Sequence, residues 1–199
     1  MNIQTLALTL FLIINPLGNL KTFSSIMKNI PHEKHRKVAI RELLIALGCM
    51  FFFSLLGEQI SWAFSFSPAT IRIAAGLILF LKAINILFPK SEHLPKVPGE
   101  EPFLVPIAIP LIASPALLAT IMLFSQAEPL VLPMIISILL AWGFTALFFV
   151  YAKQTHKFLG YNGLLAIERI MGMILVLIAI QQFMTGIFSF ILTLEPLFS

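Results

Sequence analysis

A chain of 199 residues that is 59% hydrophobic, 11% charged and carries nineteen Phe cannot hide its apolar surface inside a water-soluble core. That balance excludes a soluble enzyme or a nucleic-acid-binding module and sets the class as an all-α integral membrane protein. The formal charge of +4 belongs to the loops, as shown below, and the single cysteine, Cys49, excludes a disulfide framework within the chain.

About twenty apolar residues cross the hydrocarbon core as a helix. By that measure six transmembrane helices are expected, at 3–27, 42–64, 70–88, 103–124, 130–152 and 169–193. All fall in one membrane domain, 1–199. Residues 1–14 lack a basic leader, so no cleavable signal is expected there.

The first segment is interrupted. In FLIINPLGNLKTF, residues 11–23, Pro16 removes a backbone donor and its ring opposes the carbonyl four residues back. Gly18 loosens the chain further, and Asn15 and Asn19 stand four apart, on one face of any continuing helix. The fourth segment is broken harder, by Pro106, Pro110 and Pro115, with Ser114 in the place of Asn15. Backbone groups freed in hydrocarbon must be met by protein or by a wet cavity. Half-helix N-termini suit a carboxylate, exposed carbonyls suit an ammonium group or a cation, and a site pairing both kinds of end would fit a zwitterion. Asn15, Pro16, Gly18, Asn19, Ser114 and Pro115 are therefore the candidate solute-binding residues. The competing reading is a pair of structural kinks healed by neighbouring helices.

Segments 3 and 6 repeat. RIAAGLILFLKAIN (72–85) and RIMGMILVLIAIQ (169–181) align Gly76 with Gly172, Leu79 with Leu175, Ala83 with Ala179, and Asn85 with Gln181, at a constant offset of 96. INPLGNLKTF (14–23) and ASPALLATIM (113–122) align Pro16 with Pro115 at an offset of 99. Two three-helix halves follow, 1–88 and 101–193, joined by a linker at 89–100; three being odd, the second is inverted relative to the first. Inverted repeats with breaks at matching places point to the midplane site of a secondary transporter.

Ten of the thirteen Lys and Arg fall on alternate connections: Lys28, Lys34, Arg36, Lys37 and Arg41, then Lys90 and Lys96, then Lys153, Lys157 and Arg169. Loops 28–41, 89–102 and 153–169 are thus expected in the cytoplasm and both termini outside. Lys82, seven residues before Pro89, is expected to snorkel to the cytoplasmic surface. Lys21, just past the first break, either snorkels likewise or faces the cavity, where it would hold an anionic group or replace a coupling cation. Arg72 and Arg169 open helices, with Glu58 and Glu168 as expected partners in a clamp at the membrane surface; Glu58 is also the best carboxylate for proton coupling. Asn85 and Gln181 are expected to bond between helices.

There is no HExxH, phosphate loop or CxxC. No enzymatic activity, cofactor or metal is expected, and His32, His35, His93 and His156 are assigned to solvated connections. The expected partners are a small solute, lipid, a proton or sodium as coupling ion, and a second copy of the chain.

NPLGN (15–19), GEQI (57–60), RIAAGLILFLKAINIL (72–87), EPFLVPIAIPLIASP (101–115) and ERIMGMILVLIAIQ (168–181) together resemble the MarC family of bacterial inner-membrane proteins, also called UPF0056. The resemblance spans nearly the whole chain and implies a six-helix protein grouped with small neutral amino-acid transporters. Lys21, Ala116 and Lys82 stand where the family pattern has other residues. The expected function is secondary transport of a small neutral solute, an amino acid, by alternating access. The alternative is a non-transporting membrane protein with an assembly or lipid-organising role.

Overall fold

Proline and the capping residue before it set three helix starts in this chain. The computed structural model describes residues 2–27, 31, 34–88, 107–127 and 131–194, and among them there are helices and no strand. In order they are α1 (Ile3–Ile14), α2 (Pro16–Met27), α3 (His35–Ala63), α4 (Pro68–Leu87), an irregular π-type segment (Ile107–Ile112), α5 (Pro115–Ala127), α6 (Val131–Val150) and α7 (Ala152–Leu194). At the head of α4, the Ser67 hydroxyl accepts the Thr70 N–H at 3.1 Å and Pro68 occupies the first helical position, where a missing N–H costs nothing. Asn15-Pro16 and Ser114-Pro115 repeat this device inside the apolar stretches.

Among the described residues five stretches are long and apolar enough to cross a membrane, one fewer than the six expected: Ile3–Leu20, His35–Ala63, Pro68–Leu87, Val131–Val150 and Asn162–Thr193. Pro115–Gln126 is apolar but shorter. In the expected fourth segment, Ile109 is extended, with φ −127° and ψ 125°. Pro110 imposes that conformation on the residue before it. Two ends differ from expectation for one reason. Helix α3 begins at His35 rather than 42, and α7 at Ala152 rather than 169, because charged residues mark where a helix leaves an apolar medium and not where its hydrogen bonding stops. Gly160, at φ 65° and ψ 175°, kinks α7. The 32 residues of Asn162–Thr193 span about 48 Å, well beyond a hydrocarbon core of about 30 Å.

The main apolar cluster draws on every helix, with Leu10, Ile13, Ile14, Leu20, Leu43, Met50, Leu79, Ile112, Leu117, Ile121 and Phe149 fully enclosed, and a smaller one gathers Ile71, Met122 and Leu123. Buried residues of α1 recur at Leu6, Leu10, Ile13 and Ile14, one stripe of a helix. Small residues line the inner face of α3, at Ala39, Ala46, Ser54, Gly57 and Ser61, and let it approach α5 closely.

The most extensive packing is antiparallel, α4 on α7. A Cβ at Gly76 would lie 2.7 Å from Phe183 N and 2.9 Å from Ala179 O, and one at Gly186 would lie 2.9 Å from Ile73 N. At Gly76 backbone meets backbone, with no flexible side chain to yield; at Gly186 the nearest atom is Ile73 Cγ1, at 2.7 Å. Gly76→Ala is expected to lower stability by about 1–2 kcal/mol despite its better helix propensity, because the helices must part. Gly48→Ala is the control, since a Cβ there meets nothing within 4 Å. Melting temperatures in mild detergent should fall for the first variant and hold or rise for the second.

Candidate functional site

The helix broken at Asn15 and the one broken at Ser114 meet in the interior. Asn15 does two jobs. It closes α1 in the left-handed region, at φ 54° and ψ 57°, which asparagine tolerates better than most residues. Its Oδ1 then accepts the Gly18 N–H at 3.1 Å, capping α2. A Cβ on Gly18 would collide with the Asn15 side chain, so this position admits only glycine beside that cap. Ser114 caps α5 in the same way, its Oγ accepting the Leu117 N–H at 3.4 Å. The backbone bonds match as well: Asn19 N–H to Asn15 O and Leu118 N–H to Ser114 O, each at 3.0 Å.

Two side chains tie one break to the other. Asn19 Nδ2 donates to Ile14 O at 2.8 Å and to Leu111 O at 3.2 Å. Lys82 Nζ, arriving from α4, donates to Ile13 O at 3.0 Å and lies 3.5 Å from Ser114 Oγ. The last carbonyls of α1 would otherwise be orphaned in an apolar interior, where an unmet backbone group is expensive. This corrects the expectation that Lys82 snorkels outward: its ammonium turns to a carbonyl that has lost its helical partner.

Five of the six expected binding residues are in the interior: Asn15, Pro16, Gly18, Asn19 and Ser114. Pro115 is exposed, so the two prolines do not face one chamber. Asn15 is wholly buried, and its Nδ2 has no hydrogen-bond partner. The site thus combines an unmet amide donor, an ammonium, two half-helix N-termini and one carbonyl end. Lys21 lies within α2; its side chain, like those of Pro110 and His156, falls outside the described residues, as do Lys28, His32, Lys90, His93, Lys96, Pro106 and the linker 89–100.

Several expected pairings do not form. Glu58 and Arg72 make no ion pair, and Arg169 instead donates from Nη1 to Leu87 O at 3.3 Å. Glu58 is exposed at the surface. Asn85 and Gln181 point outward, and Gln181 bonds along its own helix to Thr185 at 3.4 Å. Each lies nine residues beyond its packing glycine, which is half a turn round the helix and so the opposite face. The neighbouring Gln182 is the inward amide: its Nε2 reaches the buried Thr120 hydroxyl at 3.4 Å, and its Oε1 is buried without a partner.

Reasoning from sequence also passed over Glu42. This carboxylate is fully buried in α3 and takes Arg41 Nη2 at 2.9 Å and Nε at 3.1 Å on one oxygen. Arg41 therefore belongs to a helix and not to a loop. Its signal was an acidic residue beside a basic one at the edge of an apolar run. His35 opens α3, and among the described residues no group of His, Cys, Asp and Glu is placed to hold a metal ion.

Comparison with known proteins decides the family. The model of the MarC family of integral membrane proteins matches residues 1–191. The chain belongs to the MarC family. Similar MarC-type proteins include the UPF0056 inner membrane protein YhgN of Escherichia coli (strain K12), 45% identical over 186 residues, which cover 91% of this chain and 93% of the relative. A UPF0056 membrane protein of Buchnera aphidicola subsp. Baizongia pistaciae is 41% identical over 192 residues, covering 94% and 96%. A more distant MarC-type relative, from Chlamydia muridarum, is 27% identical over 179 residues, covering 87% of each chain. No solved structure matches.

Proposed function

We propose that this MarC-family protein is a secondary transporter of a small solute, working by alternating access between two inverted three-helix halves, with its site where the broken helices meet. In this reading the irregular segment and α5 together make the sixth crossing, the loops rich in Lys and Arg lie in the cytoplasm of a bacterial inner-membrane protein, and both termini lie outside. The observation that carries it is the tie across the two breaks: side chains from two other helical stretches, Asn19 and Lys82, hold backbone groups of α1 to the Leu111–Ser114 turn. Discontinuous helices whose ends converge at mid-depth are how transporters build a polar site in hydrocarbon.

The packing pattern supports the inverted halves. Exchanging α1, α2, α3 and α4 for the irregular segment, α5, α6 and α7 turns the α4–α5 contact into α7–α2, α3–α5 into α6–α2, and α1–α6 into the irregular segment on α3. All six contacts occur, as do the self-exchanging pairs α4–α7 and α3–α6. The glycines agree at the level of single residues. Gly76 approaches Phe183, and Gly172 approaches Leu87, which is its exchange partner at the same offset of 96.

Protein reconstituted into liposomes should carry small amino acids or carboxylates saturably, with a response to an imposed proton or sodium gradient. Asn19→Ala, which unties the breaks, should reduce that flux at least tenfold while the protein still elutes as a single folded species. Folded wild-type protein that moves no member of such a panel would end the proposal.

A further inference from the structure

We infer that the transported solute is a small carboxylate with no free ammonium group, because the protein's own Lys82 ammonium fills the place where the amine of a zwitterion would bind. The inference rests on the transporter reading above and narrows it to a substrate class different from the neutral amino acids that the family resemblance implies.

Two of the last carbonyls of α1, and one across the break, already hold donors of the protein's own. Helix α1 ends at Ile14, and its final carbonyls are the acceptors that a solute ammonium would seek. Ile14 O takes Asn19 Nδ2 and Ile13 O takes Lys82 Nζ. Across the break, Leu111 O takes the same Asn19 amide. A second ammonium would have to displace a tethered one and sit beside its charge in a medium that screens poorly.

The donor side is not satisfied. Asn15 Nδ2 has no acceptor although the residue is fully buried, and its direction is fixed because Oδ1 is held by the Gly18 N–H. A buried polar group in this condition is uncommon and calls for an acceptor. The electrostatics agree: the ammonium and the first turns of α2 and α5 are all positive, and among the described residues no carboxylate pairs with Lys82. A half-buried cation in an apolar medium without a counter-charge is costly, and an arriving anion lowers that cost. A carboxylate, an acceptor at both oxygens, suits each of these donors.

Three compounds on one carbon skeleton test this. L-lactate carries the carboxylate alone, L-alanine the carboxylate and the ammonium, and L-alaninamide the ammonium alone. Binding would be measured by calorimetry on purified protein in nanodiscs at neutral pH, with protein-dependent flux in liposomes alongside. Wild-type protein should bind and carry lactate with at least tenfold preference over alanine and should ignore alaninamide. Lys82→Met, which keeps the stem and removes the charge, should lose at least tenfold in lactate affinity and gain in alanine. Wild-type protein that favours alanine overturns the inference and leaves the transporter reading standing. Folded wild-type protein that binds and carries none of the three, nor any of the wider panel, overturns both. Undiminished lactate affinity in Lys82→Met also overturns the inference. Should that variant fail to fold, Lys82→Arg, which keeps the charge, must retain the lactate preference, and the wild-type comparison decides by itself.

Discussion

Asn15→Ala should cost about 2–3 kcal/mol of stability, and Asn15→Gly distinctly less. Two terms separate the variants. Either substitution removes the cap from the Gly18 N–H, a loss of about 1 kcal/mol for alanine and only a few tenths for glycine by the usual ranking. Only alanine adds the cost of a left-handed backbone, about 1–2 kcal/mol for a residue with a Cβ and no local hydrogen bond. The test is equilibrium unfolding in mild detergent, read as the order of midpoints: wild type, then glycine, then alanine. Equal losses would show that the backbone at residue 15 relaxes when its side chain goes, and that the break is softer than its geometry implies.

Arg41→Ala is the second large effect, at about 2–3 kcal/mol. Glu42 has no exposed surface, whereas the Arg41 side chain is 31% exposed. Removing the guanidinium takes from a buried carboxylate the charged contacts described above; losing a fully enclosed partner costs about 3–5 kcal/mol, and the partial exposure of Arg41 reduces that figure. Replacing both residues removes the buried charge as well as the pair. The double variant Arg41→Leu, Glu42→Leu should therefore recover at least half of the loss, and a double-mutant cycle measures the coupling directly. Additive losses would mean that each residue is held by separate neighbours and that the short contacts between them contribute little.

The breaks were legible in the sequence because their cause is local. Proline lacks a donor wherever it stands, and Asn or Ser before it caps the next turn without help from the rest of the chain. Spans were legible for a similar reason, since hydropathy needs no knowledge of partners, although the polar turns of α3 and α7 showed that leaving the apolar layer and ending a helix are different events. What could not be read was long-range. Lys82 turns inward because Ile13, 69 positions earlier, presents an orphaned carbonyl, and no window around Lys82 contains that fact. Glu42 was hidden among charges that looked like a loop. The amides on α7 are an intermediate case: a count of helical angle from Gly172 would have favoured Gln182 over Gln181, and the reading followed the repeat instead. Of the residues gathered at the two breaks, those on the broken helices could be named from sequence, and the lysine that joins them was misplaced.

The glycine contacts between α4 and α7 also limit how the protein can deform. Where Gly76 lies against the Phe183 and Ala179 backbone there is no layer of side chains between the helices and no rotamer to re-sort, so sliding one past the other there would drive Phe183 backbone atoms into a Cα. The pair is consequently a stiff spine, and the compliant parts of the molecule are the short rods on either side of Asn15 and Ser114. Strain applied at one face of the membrane would be taken up as rotation of those rods about the spine, with Asn19 and Lys82 as the fastenings that must slip first.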